Sequence, residues 1–282
     1  MVWIILIVCA VIFTPLAIII VCTAPGIVPR EAALAATKFY GLHCAHRGLH
    51  SEDQRIPENS LAAFAAARDR GYGVELDIRL TKDEQVIVFH DDDFARVCSV
   101  NKSVGDLEYS ELSEMRLFGT GEKIPTLTEA LNVLKDTPVI VELKYPGVRY
   151  AALCKKAAEI LKSYGGHWCV ESFDPRIMAW FKKNEPKVLR GQLSNPVRND
   201  ETPKLITVLL GNLMGNIISR PHFIAYSNEP YPLIVKLCMI MKPIKAVWTV
   251  KSADELEKCQ KENDIIIFEN FKPSARFTPN RR

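Results

Sequence analysis

Residues 138–144 read PVIVELK, and this stretch decides the fold that the sequence predicts. A short run of β-branched residues, typical of a buried strand, ends there in Glu142 and Lys144. These two side chains are two positions apart and therefore lie on one face of a strand. The sequence VELDIRL repeats the arrangement with Glu75 and Asp77. In a parallel barrel the reacting groups gather at the C-terminal ends of the strands, so these charged pairs are candidates for a functional site.

Runs of this kind alternate with amphipathic helical patterns over about 240 residues, the size of one barrel. The predicted strands are residues 41–45, 74–80, 138–144, 168–172, 187–192, 222–226, 246–250 and 264–268. The clearest predicted helices are residues 59–70, 126–135, 147–164, 175–183 and 252–261. Eight strands alternating with helices predict an α/β fold, a closed (β/α)8 TIM barrel. An open doubly wound sheet is disfavoured further because no Gly-rich phosphate loop follows the first strand.

The composition is that of a folded globular protein. Of 282 residues, 48% are hydrophobic and 24% are charged, which excludes a disordered or low-complexity chain. The net charge is only +3 and there is no basic tract. The charge balance therefore gives no reason to expect a nucleic-acid partner.

The N-terminal segment is unusually apolar. Residues 2–22, VWIILIVCAVIFTPLAIIIVC, are apolar except for Thr14 and Pro15, and the first charged side chain is Arg30. About 20 apolar residues suffice for a helix to cross a bilayer. A cleaved signal peptide would have a basic start and a shorter apolar core. The sequence therefore predicts one N-terminal transmembrane helix, an uncleaved single-pass anchor, with the membrane as a partner.

This anchor would divide the chain into three parts. We expect residues 1–24 to form the anchor, residues 25–40 a linker and residues 41–282 the barrel. Arg30 and Lys38 follow the apolar segment and nothing basic precedes it, so the positive-inside tendency places the barrel in the cytoplasm. Cysteines scattered singly, without paired spacing, agree with a reducing compartment.

Three carboxylates predict a metal site at the barrel mouth. Glu75, Asp77 and Glu142 would converge there, and buried carboxylates are costly unless they are paired or bind a cation. Carboxylate oxygens are the hard ligands that Mg²⁺ or Ca²⁺ takes. We therefore expect a divalent metal ion, Mg²⁺ or Ca²⁺, as cofactor.

Histidines and cations complete the predicted chemistry. His46 and His90 follow β-branched or apolar runs, and an imidazole gives and takes protons near neutral pH. Arg47 and Lys144 are cations that would hold an anionic group. Together with the metal site they indicate metal-assisted attack on a phosphate ester. A lone histidine at a strand end is usually structural, but each of these two lies within a motif of several residues.

A series of short motifs runs in order from residue 41 to residue 270. In chain order they are His46-Arg47-Gly48, Pro57-Glu58-Asn59-Ser60, Glu75-Leu76-Asp77, Thr81-Lys82-Asp83, His90-Asp91, Glu142-Leu143-Lys144, Glu171-Ser172-Phe173-Asp174-Pro175, Arg190-Gly191-Gln192-Leu193 and Val247-Trp248-Thr249. The ordered set resembles the glycerophosphodiester phosphodiesterase family. The resemblance implies a (β/α)8 barrel that hydrolyses small-molecule glycerophosphodiesters or lysophospholipids to glycerol 3-phosphate and an alcohol with a divalent metal.

The resemblance also implies roles for the site residues: two catalytic histidines, three metal ligands and two phosphate-binding cations. The catalytic histidines would be His46 and His90, and the metal ligands would be Glu75, Asp77 and Glu142. The phosphate-binding cations would be Arg47 and Lys144. Glu58 would lie beside the metal as a ligand or behind the ligands, with Asn59 next to it. The last strand departs from the family pattern, because it ends Ile267-Phe268-Glu269-Asn270 where many members carry Thr-Asp. What the eighth strand contributes is therefore left open.

Several alternatives stay open at this point. A glycerol hydroxyl would attack phosphorus to give a cyclic phosphate, or water would attack directly. A phospholipase C- or D-like enzyme acting on intact membrane lipid would use a similar pair of histidines. A catalytically silent lipid-binding protein is disfavoured by the full set of charged residues. The apolar residues 204–218 predict either a helix buried under a neighbouring loop or a second membrane contact.

Overall fold

The computed structural model describes residues 2–144, 147–196 and 204–280. The strands are β1 Leu42–His46, β2 Gly73–Leu80, β3 Val86–Val88, β4 Asp93–Phe94, β5 Val100–Ser103, β6 Val139–Leu143, β7 Trp168–Ser172, β8 Arg190–Ser194, β9 Phe223–Ser227, β10 Ile244–Val250 and β11 Ile265–Phe268. The helices are α1 Val2–Thr23, α2 Arg30–Ala36, α3 Leu61–Asp69, α4 Ala95–Cys98, α5 Leu127–Leu134, α6 Tyr150–Lys162, α7 Pro175–Asn184, α8 Lys204–Gly211, α9 Asn216–Ser219, α10 Leu233–Ile240 and α11 Ala253–Glu262.

Within the described residues, eight parallel strands close into a barrel. The hydrogen-bonded order runs β1-β11-β10-β9-β8-β7-β6-β2, and β1 also pairs with β2 in parallel. Strand β3 is antiparallel to β2 and lies outside the closed ring, and β4 and β5 form a separate hairpin. The predicted (β/α)8 TIM barrel is confirmed, and each predicted strand lies within about three residues of an observed one, the usual error of such boundaries.

The predicted helix starts follow from capping side chains. Ser60 accepts a hydrogen bond from the Ala63 backbone N–H at 3.1 Å and begins α3. Thr126 and Glu129 cap each other's backbone at the start of α5, the reciprocal arrangement that their spacing predicts. Helix α3 packs against β2 and against α5, and α5 packs against β3.

Helix α2 closes the bottom of the barrel. Its residues Ala32 and Ala36, with Phe39 just beyond it, are fully buried in one apolar cluster with Leu42 and Ile265. Leu42 and Ile265 are the first residues of β1 and β11, so α2 covers the N-terminal ends of the strands. The opening of the barrel is therefore left at the C-terminal ends, where the charged motifs lie.

The N-terminal helix does not behave as predicted. The C-terminal end of α1 lies against the barrel: Thr23 is fully buried, and its carbonyl accepts hydrogen bonds from Asn216 Nδ2 at 2.7 Å and Cys238 Sγ at 3.2 Å. Among the described residues, no helix combines the length and apolar character needed to cross a bilayer. The predicted transmembrane anchor over residues 1–24, and the localisation that rested on it, are therefore wrong.

The apolar residues 204–218 form two short helices, α8 and α9, within the part of this segment that the structure describes. Helix α9 packs against α7, with Asn216 and Ser219 buried. Helix α8 is mostly exposed, and the Leu205 side chain is 70% accessible. A single helix buried under a loop is therefore not what this segment forms.

Candidate active site

The C-terminal mouth of the barrel contains a cavity of about 210 Å³. The predicted site residues that line it come from β1, β2, β6 and the segment after β3; they are His46, Arg47, Glu75, His90, Glu142 and Lys144. Asp77 is 1% exposed and contacts two of them, with Oδ1 2.9 Å from Lys144 Nζ and Oδ2 3.4 Å from Arg47 Nε. The structure thus brings together side chains from four separate parts of the chain.

The three predicted metal ligands form one acidic cluster. Oxygen atoms of Glu75, Asp77 and Glu142 all lie within 4.8 Å of one another, and the three residues are buried. Parallel pairing of β2 with β6 places Asp77 opposite Glu142, while the two-residue spacing on β2 adds Glu75 to the same face. Burial, together with the neighbouring Asp77 and Glu142 carboxylates, raises the pKa of Glu75 well above its usual value.

This cluster fits a divalent cation. Its donors are all carboxylate oxygens, which suit Mg²⁺ or Ca²⁺, and their mutual repulsion is what a cation would relieve. A fourth carboxylate, Glu171, is 1% exposed and lies opposite Glu142 in the pairing of β6 with β7. Its Oε2 has no hydrogen-bond partner among the described residues. Burial and the Glu142 charge raise the pKa of Glu171 well above normal.

Lys144 balances part of this negative charge. Its Nζ lies 2.9 Å from Asp77 Oδ1 and 2.8 Å from Glu142 Oε2. Burial alone would raise the pKa of Asp77, but Lys144, His90 and Arg47 outweigh it, and the pKa of Asp77 falls well below normal. Burial would lower the pKa of Lys144, but the two carboxylates outweigh burial and raise it. Lys144 is therefore a fixed positive charge at the cavity wall.

Arg47 reaches the mouth because the backbone turns sharply after β1. Arg47 and Gly48 both have positive φ, 55° and 80°, a conformation that glycine adopts without strain. The Arg47 backbone N–H donates to Glu75 Oε2 at 3.1 Å, and its Nη1 donates to Glu58 Oε1 at 2.8 Å. Its Nε lies 3.4 Å from Asp77 Oδ2. The guanidinium group thus lies between the acidic cluster and Glu58.

Glu58 and Asn59 lie behind the cluster. Arg96 Nη2 donates to Glu58 Oε1 at 2.6 Å, so Glu58 is held between two arginines and lies outside the group of three carboxylates. Burial would raise the pKa of Glu58, but Arg96 and Arg47 outweigh it and lower the pKa. Asn59 Nδ2 donates to Asp77 Oδ2 at 2.8 Å. Glu58 therefore contacts the acidic cluster only through Arg47, and Asn59 contacts it through Asp77.

Each histidine is held through the same ring nitrogen. His46 Nδ1 lies 2.6 Å from Glu269 Oε2, and His90 Nδ1 lies 2.6 Å from Asp91 Oδ1. His46 Nε2 faces the cluster, 3.9 Å from Glu75 Oε2. Burial lowers the pKa of His46, although the hydrogen bond to Glu269 opposes this effect. Both rings line the same cavity, so both histidines are available to a ligand bound there.

Sequence reasoning missed part of the cavity wall. Phe173 and Trp248 line it, with ring centroids 5.6 Å apart in an edge-to-face arrangement. Leu193 and Ile267 complete an apolar side. Phe173, Leu193 and Trp248 stand within the motifs that carried the family resemblance, but no spacing rule indicated that they face the site. Glu269 was missed because its partner, His46, is 223 positions away in sequence.

Curated relatives match the chain over part of their length. Human Lysophospholipase D GDPD1 is 34% identical over 140 residues, which cover 45% of this chain and 43% of the human protein. A Glycerophosphodiester phosphodiesterase from Caldanaerobacter subterraneus is 33% identical over 160 residues, 53% of this chain and 65% of that protein. These matches thus span less than two thirds of either relative.

Solved structures share the fold, and a family model matches most of the chain. A phosphodiesterase from Oleispira antarctica, solved in complex with the product sn-glycerol-3-phosphate, has a TM-score of 0.67 and 22% identity, covering 83% of this chain and 94% of that chain. The model of the Glycerophosphoryl diester phosphodiesterase family matches residues 46–269. Because that match runs from His46 at the end of β1 to Glu269 after β11, this chain belongs to the glycerophosphoryl diester phosphodiesterase family.

Proposed function

We propose that this protein hydrolyses glycerophosphodiesters to glycerol 3-phosphate and an alcohol, with a divalent metal and two catalytic histidines. The observation that carries the proposal is one cavity in which a buried cluster of three carboxylates faces two histidines. Family membership supports the reaction class. The arrangement suits a substrate with a negative phosphate between two alcohol groups.

The cations of the site would bind the phosphate. A phosphodiester carries one negative charge, and attack at phosphorus adds charge to its non-bridging oxygens. Arg47 and Lys144 line the cavity and are fixed by carboxylates before any substrate binds, so they stabilise this added charge without reorganising. A Mg²⁺ or Ca²⁺ ion held by Glu75, Asp77 and Glu142 would supply further positive charge to the same oxygens.

The histidines would move protons. With Nδ1 of His46 and His90 engaged by Glu269 and Asp91, Nε2 of each ring is the nitrogen left for the substrate. One imidazole takes the proton of the attacking hydroxyl or water while the other gives a proton to the leaving alcohol. Two separately held rings in one cavity suit this division of roles.

The cavity wall suits lysophospholipids as a subclass of substrate. One side of the cavity is apolar, lined by Phe173, Leu193, Trp248 and Ile267, and it opposes the charged side. An apolar wall of this kind favours a substrate that carries hydrocarbon next to its phosphodiester. The human relative carries the name Lysophospholipase D, which agrees with that chemistry.

The test is turnover of a substrate panel with and without chelator. We expect release of glycerol 3-phosphate from glycerophosphocholine, glycerophosphoethanolamine or glycerophosphoinositol, or of a lysophosphatidic acid from lysophosphatidylcholine, and loss of release in EDTA. His46→Ala and His90→Ala should each lower kcat by about 10²-fold or more. His167→Ala is the matched control, because His167 is exposed just before β7, at the opposite end of the barrel. Turnover by His46→Ala at the wild-type rate, or hydrolysis of intact phospholipid alone, would refute the proposal.

A further inference from the structure

Glu269 occupies a position that the family resemblance left open. It directly follows β11, the last strand of the barrel. Its side chain is 13% exposed, and both of its oxygens are engaged. Oε2 lies 2.6 Å from His46 Nδ1, and Oε1 lies 2.8 Å from Lys251 Nζ. His50 Nε2 also lies 4.0 Å from Oε2, farther away than His46. The carboxylate is thus held by imidazole rings at one oxygen and by a cation at the other.

Barrel closure creates this contact. His46 ends β1 and Glu269 follows β11, and these two strands pair in parallel with Ala45 opposite Phe268. The residues next to that pair therefore leave the sheet side by side. Burial would raise the pKa of Glu269, but the hydrogen bond and charge of His46, followed by Lys251, outweigh burial and lower the pKa far below normal. The group is consequently an anion that accepts from both neighbours.

The second histidine is held in an equivalent way. His90 Nδ1 lies 2.6 Å from Asp91 Oδ1, and Asp91 Oδ2 accepts from Arg96 Nε at 2.6 Å. Each ring therefore has a carboxylate at Nδ1, and each carboxylate has a cation at its other oxygen. The two sets share no residue, so the arrangement around His46 stands on its own contacts.

We propose that Glu269 is a positioning residue that keeps the hydrogen of His46 on Nδ1 and its Nε2 free to face the cavity, and that Lys251 fixes the orientation of this carboxylate. The inference rests on the proposed function of His46. A carboxylate oxygen only accepts, so the ring must donate from Nδ1, which leaves the Nε2 lone pair toward Glu75 and the substrate.

The substitution Glu269→Gln gives a test that a structural ion pair would not mimic. An ammonium group only donates, so Lys251 would hold the amide oxygen of Gln and leave the amide N–H₂ facing His46. The ring would then have to accept at Nδ1 and carry its hydrogen on Nε2, the wrong tautomer. We expect kcat to fall by about 10²-fold or more while KM stays within about twofold.

A second substitution should repair the first. In the double variant Glu269→Gln/Lys251→Ala the amide is free to flip and offer its oxygen to His46, so kcat should rise at least about fivefold above that of Glu269→Gln. Glu257→Ala is the matched control: its carboxylate binds Lys261 at 2.8 Å on the exposed face of α11. Thermal unfolding of every variant checks that the fold is kept. A kcat of Glu269→Gln equal to that of the wild type, or no recovery in the double variant, overturns the inference.

A measurement without substrate separates this inference from the proposed function. The measurement is the NMR spectrum of protein labelled with ¹⁵N-histidine, in which the ¹⁵N chemical shifts report which ring nitrogen carries the hydrogen. The His46 signals are assigned as those that are absent from the spectrum of His46→Ala. We expect Nδ1–H in the wild type and Nε2–H in Glu269→Gln. If the wild type hydrolyses no glycerophosphodiester, the proposed function fails while these shifts still decide the inference. If His46→Ala is inactive but Glu269→Gln keeps both the wild-type tautomer and the wild-type rate, the inference alone fails.

Discussion

Replacing Lys144 with Met tests how the acidic cluster is balanced. The Lys144 Nζ lies 2.9 Å from Asp77 Oδ1 and 2.8 Å from Glu142 Oε2, and its side chain is 11% exposed. Met keeps a similar length and apolar stem but carries no charge. The substitution Lys144→Met therefore leaves two buried carboxylates without their shared cation.

The expected loss of stability follows from that geometry. Removing one partner of a buried ion pair costs about 3–5 kcal/mol, because the other charge stays buried. We expect the lower end, about 3 kcal/mol, because the cavity admits water beside the cluster. For a domain of this size each kcal/mol lowers Tm by roughly 2–4 °C, so Tm in chelator should fall by about 6–12 °C.

A divalent cation should reverse the loss of stability but not the loss of activity. Ion binding to the folded state alone, at 100 times Kd, stabilises by about 2.7 kcal/mol. Mg²⁺ or Ca²⁺ bound by Glu75, Asp77 and Glu142 would replace the missing positive charge and restore most of the Tm. Turnover should stay low, because the cation that we assign to the phosphate is gone.

The assay pairs thermal unfolding in EDTA and in excess Mg²⁺ or Ca²⁺ with release of glycerol 3-phosphate. Lys187→Met is the matched control: the Lys187 Nζ also lies 2.8 Å from a carboxylate, Glu31 Oε1, but the lysine side chain is 74% exposed. Its Tm should not change measurably, since exposed ion pairs contribute little. If Lys144→Met melts at the temperature of Lys187→Met in EDTA, or turns over at the wild-type rate, the reasoning about the cluster is wrong.

Three further outcomes are expected. Glu75→Gln should weaken Mg²⁺ or Ca²⁺ binding at least about tenfold by calorimetric titration, and unchanged affinity would remove Glu75 from the ligand set. Trp248→Ala should raise KM for lysophosphatidylcholine about tenfold, because a loss of roughly 1.4 kcal/mol of apolar contact weakens binding by that factor. KM for glycerophosphocholine, which has no hydrocarbon chain, should change little. An equal rise of KM for both substrates would show that the hydrocarbon does not bind at Trp248. Burial, helped by Arg190, lowers the pKa of His222 to about 3, so between about pH 6.5 and pH 3 the unfolded chain binds a proton that the folded chain does not. Stability should therefore fall by about 2 kcal/mol from pH 7 to pH 5 in urea unfolding, and His222→Gln should remove that part of the slope; an identical slope would contradict the assignment.

Local sequence pattern determined the barrel and much of the candidate site. Most of the barrel strands contain a short apolar run that is recognisable without its neighbours. Eight strands could therefore be located along the chain without knowing which of them pair. The two-residue spacing within Glu75-Leu76-Asp77 and Glu142-Leu143-Lys144 also fixed a shared face in advance. A helix cap such as Thr126 with Glu129 is local in the same sense.

Apolar composition was a poor guide to what surrounds a segment. The run of residues 2–22 predicted an anchor, and residues 204–218 predicted either a buried helix or a second membrane contact, because hydropathy records only the preference for apolar surroundings. It does not record what supplies those surroundings. In the structure the end of α1 lies against α9 and α10, where Asn216 and Cys238 bind the Thr23 carbonyl.

Only the tertiary structure decided which side chains meet across strands. Register places Asp77 beside Glu142 and Glu142 beside Glu171, and closure of β1 on β11 brings Glu269 to His46 across 223 positions of sequence. The physical reason is that strand register and barrel closure minimise the free energy of the whole chain, through packing and hydrogen bonds that no single segment contains. The charged site residues could therefore be predicted from the sequence, whereas the side chains that they contact are determined by the fold.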